Sequence, residues 1–471
     1  MTSELSTLSI AEAGKKLAAK EISALDVVRA CRAAIEKRNG SLNAYLEVFD
    51  DGEAQAKDAD RRRAAGEHHP LLGIPLAIKD NILIAGRRAS SASKILEKYR
   101  ASYDATVIKK LKAAGALFLG RTNMDEFAMG GSTENSAFGP TKNPHDESRV
   151  SGGSSGGSAV ALASGMALGA LGSDTGGSVR EPAAFCGVVG LKPTYGAVSR
   201  SGVMALGSSL DQIGPFARTI EDAELIFSAI KGKDIFDSTS RDVSAPKKEI
   251  RRVGVPRHLL KEGIDGDVLL RFESALAKLK ARGIDVVDIE LPSASLALAA
   301  YYIIMPAEAS ANLARFDGVR YGLSLQGNSL IDDYATTRGE GFGPEVRRRI
   351  MLGTYVLSAG YYDAYYGRAM VARARLREEY KNVLVGVDVV ATPTVPSPAF
   401  KLGEKSDPLS MYLTDIFTVT ANLTGNPAIS VPMGEVTRDG KELPVGIQFT
   451  AADGDEQALF SAGRALTGEI Y

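Results

Sequence analysis

Three short segments place a lysine and several serines where acyl-transfer chemistry could use them. Lys79 lies in G-I-P-L-A-I-K-D-N, Gly73 to Asn81. A glycine–serine run, S-G-G-S-S-G-G-S, spans Ser151 to Ser158, and G-S-D-T-G-G-S-V-R spans Gly172 to Arg180. Glycine admits φ > 0 and lets backbone N–H groups converge on a ligand. Ser178 follows two glycines and precedes a predicted helix start. The N–H groups of Thr175, Gly176, Gly177 and Ser178 are then free to meet an oxyanion. Read alone, that segment fits an ordinary N-cap serine equally well. Lys79 is flanked by apolar residues, and burial would favour a neutral amine able to take a serine proton. Neighbouring Asp80 would oppose this unless strand alternation turns it to the other face.

Other chemistries fit less well. The glycine–serine run lacks the G-K-[ST] of a phosphate-binding loop. Gly153 to Gly157 matches G-x-S-x-G centred on Ser155, but a nucleophile elbow needs a strand before it and a late histidine. The preceding K-N-P-H-D-E-S-R is polar, and no histidine follows His258. Cys186, in A-A-F-C-G-V-V-G, reads as core. His68 and His69 have no second ligand pair, so no metal site is expected.

The elements that must position these residues follow from apolar periodicity. Ser9 and Ser23 read as helix N-caps. Tyr45 to Phe49, Ile74 to Ile78 and Ala116 to Leu119 read as strands, with a helix over Ala105 to Ala114. Ala159 to Ser164 reads as helical, and Met166 to Leu171 is apolar without a clear period. Arg251 to Val255, Asp285 to Ile289 and Val387 to Ala391 read as further strands separated by helices. This alternation indicates a layered α/β protein with a central sheet. Ala299 to Tyr380 reads as a mainly helical insertion rich in tyrosine and arginine, suited to a pocket or a partner surface. Lys231 to Glu249 reads as an exposed connection.

Composition sets the outer limits. The chain has 471 residues, 44% hydrophobic and 24% charged, with a formal net charge of −1. No global basic field is available for nucleic acid, so DNA is not an expected partner and any RNA is expected to be held mainly by another chain. Two cysteines, Cys31 and Cys186, cannot form a disulfide framework and fit a reducing cytoplasm. The first residues lack the pattern of a signal peptide. No run approaches ~20 uninterrupted apolar residues, so no membrane span is expected.

Together the three segments resemble the amidase signature family. Its motifs are a G-G-S-S-G-G loop, a G-S-D-T-G-G-S-[V/I]-R loop and an upstream lysine in G-[I/V]-P-x-x-[I/V]-K-D. The spacing also agrees: Ser154 is 75 residues after Lys79, and Ser178 is 24 after Ser154. The resemblance implies an amidase signature fold, a central mixed β-sheet with helices on both faces. It implies one domain over residues 1–471, with its signature core near 71–200 and the helical insertion near 299–380. It further implies a Ser–cis-Ser–Lys triad. Ser178 would be the nucleophile, Ser154 the bridging serine after a cis peptide bond, and Lys79 the base. The oxyanion donors would come from Thr175, Gly176 and Gly177.

Glu308 to Gly322, Gly353 to Tyr366 and Asp415 to Pro432 are similar to the A subunits of bacterial glutamyl-tRNA(Gln) amidotransferases. That resemblance implies glutaminase activity, with ammonia passed to a B subunit that amidates Glu-tRNA(Gln); Asp-tRNA(Asn) stays open as a second acceptor. It implies a heterotrimer with B and C subunits, with ATP and Mg on the partner and no cofactor in this chain. Glutamine recognition needs an anion for the α-ammonium and a cation for the α-carboxylate. By resemblance these are Asp415 and Arg348, the latter within the run Arg347 to Arg349. Tyr302 is a further pocket candidate, with Tyr301 as its rival. A stand-alone amidase acting on small amides is the alternative.

Overall fold

The computed structural model describes residues 2–246 and 249–469. Its centre is one eleven-stranded mixed sheet. The strands are β1 (Tyr45–Val48), β2 (Pro75–Lys79), β3 (Leu117–Thr122), β4 (Gly169–Asp174), β5 (Val189–Lys192) and β6 (Gln212–Ala217). After them come β7 (Arg252–Val255), β8 (Asp285–Asp288), β9 (Val389–Pro393), β10 (Ala428–Arg438) and β11 (Lys441–Ala451). Their order across the sheet is β1-β3-β2-β4-β6-β5-β10-β11-β9-β7-β8. β2 runs parallel to β3 and β4, while β4–β6, β5–β6 and β10–β11 are antiparallel. The burial patterns explain the strand sequences. β2, β3 and β4 are buried at every residue, which suits continuous apolar runs rather than alternation.

Local signals place the first helices. Ser9 and Ser23 each form a reciprocal capping box, with Glu12 and Asp26. The apolar segment after the glycine–serine run is a helix, Gly156–Ala163, and the unassigned stretch after it becomes β4. The helix expected to start near Ser178 starts at Arg180 and has seven residues. The connection after Lys231 is less exposed than its polarity suggests. Asp237 is buried against Arg200, and Asp234 accepts from Thr106 and Ser199. Lys247 and Lys248 within it lie outside the described residues.

The insertion is helical as expected, with helices Ala297–Asn312, Leu330–Gly341, Pro344–Leu357 and Arg368–Gly386. The stretch Pro292–Arg315 is long and apolar enough to cross a membrane by length and composition alone. Here it packs on the helices Pro344–Leu357 and Arg368–Gly386. A second apolar core joins Ile304, Met305, Val346 and Leu376 of these helices to Met124, Phe127, Met129 and Val419 around the glycine loops. The insertion is thereby fixed as one wall of the site.

Candidate active site

β2 and β4 are parallel neighbours, so their carboxyl ends lie side by side, the usual place for a site in an α/β sheet. Lys79 ends β2 and Asp174 ends β4. The Lys79 side chain is fully buried, and its Nζ lies 2.7 Å from Ser154 Oγ and 2.7 Å from Ser155 Oγ. Ser173 adds its hydroxyl at 2.9 Å and its carbonyl at 3.2 Å. Burial pushes the Lys79 pKa down to about 7, although Asp125, Asp174 and Asp211 act to raise it. The Asp80 carboxylate points elsewhere, to Arg121 at 2.8 Å and to the Ala92 N–H at 2.9 Å. Strand alternation therefore separates the two neighbours.

A neutral amine has two N–H donors and one lone pair. Ser155 Oγ donates to the Ser173 carbonyl at 3.2 Å, and Asn81 Nδ2 donates to Ser173 Oγ at 2.9 Å. Both hydroxyl oxygens can then accept from Lys79, which leaves the lone pair for the Ser154 hydroxyl. The peptide bond Gly153–Ser154 is cis. Ser155 N–H donates to the Ser178 carbonyl at 3.2 Å, which brings the two serine loops together. Among the described residues no hydrogen bond joins the Ser154 and Ser178 hydroxyls. Such catalytic contacts commonly tighten only around a substrate.

Asp174 organises the nucleophile loop. Its carboxylate accepts the N–H groups of Gly177 (2.9 Å) and Val179 (3.1 Å), and pairs with Arg180 at 2.9 Å. Burial opposes this charge, but Arg180 holds the carboxyl down to about 2. One expected oxyanion donor is thereby corrected: the Gly177 N–H is already bonded to Asp174. The N–H groups of Thr175, Gly176 and Ser178 remain as donors. Gly177 has φ of +142°, and a Cβ there would lie 2.5 Å from Thr418 Oγ1, so only glycine fits. Thr175 is fixed by its hydroxyl bond to Asp211 at 2.7 Å.

Ser178, Gly176, Tyr301, Tyr302, Met305, Arg349 and Asp415 line a narrow cavity. The Tyr302 hydroxyl donates to Asp415 Oδ2 at 2.6 Å. Tyr301 packs over Gly176, so both tyrosines contribute to the wall. Burial pushes the Asp415 carboxyl up to about 7, against Tyr302 and Arg349. The second correction concerns the cation. Arg348 turns outward, its side chain 45% exposed and paired with Glu345. Arg349, 100° further round the helix, is 4% exposed and bonds Glu345 at 2.6 Å. Its guanidinium stacks on Tyr302 at 4.8 Å and Tyr412 at 4.5 Å. Three successive arginines carry no period, so only the helix phase distinguishes them. Cys186 is buried, and burial pushes its thiol far above the usual range, which leaves it a core residue.

The amidase family profile matches residues 26–460. The A subunit of the glutamyl-tRNA(Gln) amidotransferase from Carboxydothermus hydrogenoformans is 52% identical over 475 residues, covering 98% of this chain and 97% of that protein. The protein of the same name from Roseiflexus castenholzii is 52% identical over 468 residues, covering 97% and 95%. Among solved structures, the glutamyl-tRNA(Gln) amidotransferase A subunit of Thermotoga maritima aligns with a TM-score of 0.81 at 42% identity, covering 98% of this chain and 94% of that one. A peptide amidase from Stenotrophomonas maltophilia aligns with a TM-score of 0.80 at 29% identity, covering 98% and 96%. The chain belongs to the amidase signature family, in its branch of glutamyl-tRNA(Gln) amidotransferase A subunits.

Proposed function

We propose that this chain is the glutaminase subunit of a tRNA-dependent amidotransferase. The observation that carries the reading is a buried lysine bonded to Ser154 beside a cavity that joins Ser178 to an acid and an arginine. Ser178 Oγ attacks the glutamine carboxamide. Its proton moves to Ser154 Oγ as the Ser154 proton moves to Lys79 Nζ. The tetrahedral oxygen takes N–H donors from Thr175, Gly176 and Ser178. Lys79 then returns a proton through Ser154 to the leaving nitrogen, which departs as ammonia and leaves a γ-glutamyl ester. Water hydrolyses that ester by the same relay in reverse order. Ammonia passes to a B-type subunit that binds ATP, Mg and Glu-tRNA(Gln), with a C-type subunit completing the complex. The similarity to A subunits over nearly the whole chain supports this assignment.

Asp415 and Arg349 flank the cavity with opposite charges, suited to the α-ammonium and α-carboxylate of glutamine. Asp415→Asn is expected to raise KM for glutamine roughly 30-fold or more, as loss of a buried charge pair costs about 2 kcal/mol or more. An amide without an α-amino group should barely respond. Arg349→Ala should act the same way through the α-carboxylate, whereas Arg348→Ala should leave KM near wild type. Steady-state kinetics on both amides check this, and equal losses on both would assign the residues to the fold alone.

Co-expression with candidate B and C subunits tests the assignment as a whole. Glutamine-dependent Gln-tRNA formation by the complex, with weak glutaminase activity in the isolated chain, is the expected result. An isolated chain that hydrolyses amides at full rate and passes a sizing column alone would make it a stand-alone amidase.

A further inference from the structure

Three buried carboxylates, from Asp125, Asp174 and Asp211, act on Lys79 and favour its charged form. Asp174 is paired with Arg180, and Asp211 accepts from Thr175 Oγ1 and from the N–H groups of Leu206 and Gly207. Among the described residues, Asp125 differs from Asp174 in lacking an ion pair, and from Asp211 in bonding main-chain groups alone. It is fully buried, and among the described residues it forms no ion pair at contact distance. Among the described residues its carboxylate accepts two main-chain N–H groups, Thr133 at 2.8 Å and Asn135 at 3.1 Å. Its own N–H donates to the Ser154 carbonyl at 3.2 Å. A Cβ built on Gly153 would lie 2.1 Å from Asp125 Oδ2, so the carboxylate sits directly against the backbone that carries Ser154. One residue therefore touches the bridging serine's main chain and also favours the charged form of the base.

We propose that Asp125 is a positioning residue of the proton relay, holding the Ser154 main chain and serving as counter-ion to Lys79 when the amine takes up the serine proton. This rests on the relay described above. Asp125 itself gains and loses no proton in the cycle. Charge develops on a fully buried Lys79, where a fixed carboxylate offsets the cost of burying an ammonium. Burial pushes the Asp125 carboxyl up to about 6, so it is ionised where Lys79 exchanges its proton. Two other acids face Asp125. Glu134 comes from the neighbouring loop, and Glu181 from the helix after Ser178. Burial drives Glu181 well above the usual carboxylate range, with Asp415 adding to the rise, and Glu181 is not among the acids that act on Lys79.

The test is the pH profile of glutamine hydrolysis by the complex assembled with its partner subunits, in wild type and in Asp125→Asn. Wild-type kcat should rise through a limb near the Lys79 value of about 7. In Asp125→Asn the limb should move to lower pH by about half a unit or more, because a nearby anion favours the ammonium. The plateau kcat should fall on the order of 10- to 100-fold with KM nearly unchanged, in the range of a weakened general base. Asp125→Ser reads the same limb should the asparagine amide, set against the Thr133 and Asn135 N–H groups, prevent folding. A limb that stays in place, or moves to higher pH, overturns the proposal, since a purely structural role would lower active fraction without that shift. Failure of the relay reading looks different: Lys79→Ala would then retain glutaminase activity.

Discussion

Ser178→Ala is expected to abolish glutamine hydrolysis by the assembled complex, with a loss on the order of 10⁶ in kcat by analogy with nucleophile removal in other serine hydrolases. Amidation supplied with ammonium salts should persist, because the partner's chemistry does not use Ser178. The residue is 7% exposed and lines the cavity. Alanine needs no new space there, so fold loss is not expected to confuse the result. Both activities can be read on one preparation by following Gln-tRNA with glutamine and then with ammonium as donor. Loss of both would place Ser178 in the fold or the interface.

Lys79 should matter almost as much. Lys79→Ala and Lys79→Arg are both expected to lower kcat by about 10³–10⁴, the range of a general base. Arginine keeps the charge but cannot supply a neutral nitrogen. The sign of the pH effect follows from the same side chain. Its folded pKa is lowered from 10.5 to about 7 by burial, so the neutral form predominates above that value. Wild-type kcat at saturating glutamine should therefore rise with pH through about 7 and then level. Between about 7 and 10.5 the unfolded chain binds a proton that the folded chain does not. Stability from this group accordingly rises with pH across that window. A Lys79→Arg complex with near-normal kcat would show that the position supplies charge rather than proton transfer.

The sequence made the relay legible because its parts carry local signatures. Apolar flanks mark Lys79 as buried, and glycine pairs mark the two serine loops. The Gly177 N–H escaped that reading, since nothing local says that Asp174 turns back to accept it. Arg348 and Arg349 could not be separated before the phase of the helix Pro344–Leu357 was known. Asp125 carried no signal at all: its carboxylate bonds main-chain groups, and the lysine whose charge it favours lies forty-six residues earlier. In the sheet, β5 and β6 were not anticipated, as β5 has four residues and β6 contains Gly214 and Pro215. The β10–β11 hairpin was missed despite its Asp439-Gly440 turn, where both φ angles are positive as a two-residue hairpin requires.

The account stands on Ser178 forming the acyl intermediate, and trapping that ester is its most direct test. The assembled complex is mixed with glutamine, quenched in acid within the turnover time, digested and examined by mass spectrometry. The expected result is a γ-glutamyl group on the peptide containing Ser178, absent from Ser178→Ala and released by hydroxylamine. A γ-glutamyl group on another residue, or turnover with no acylated peptide when deacylation is slowed, would contradict it.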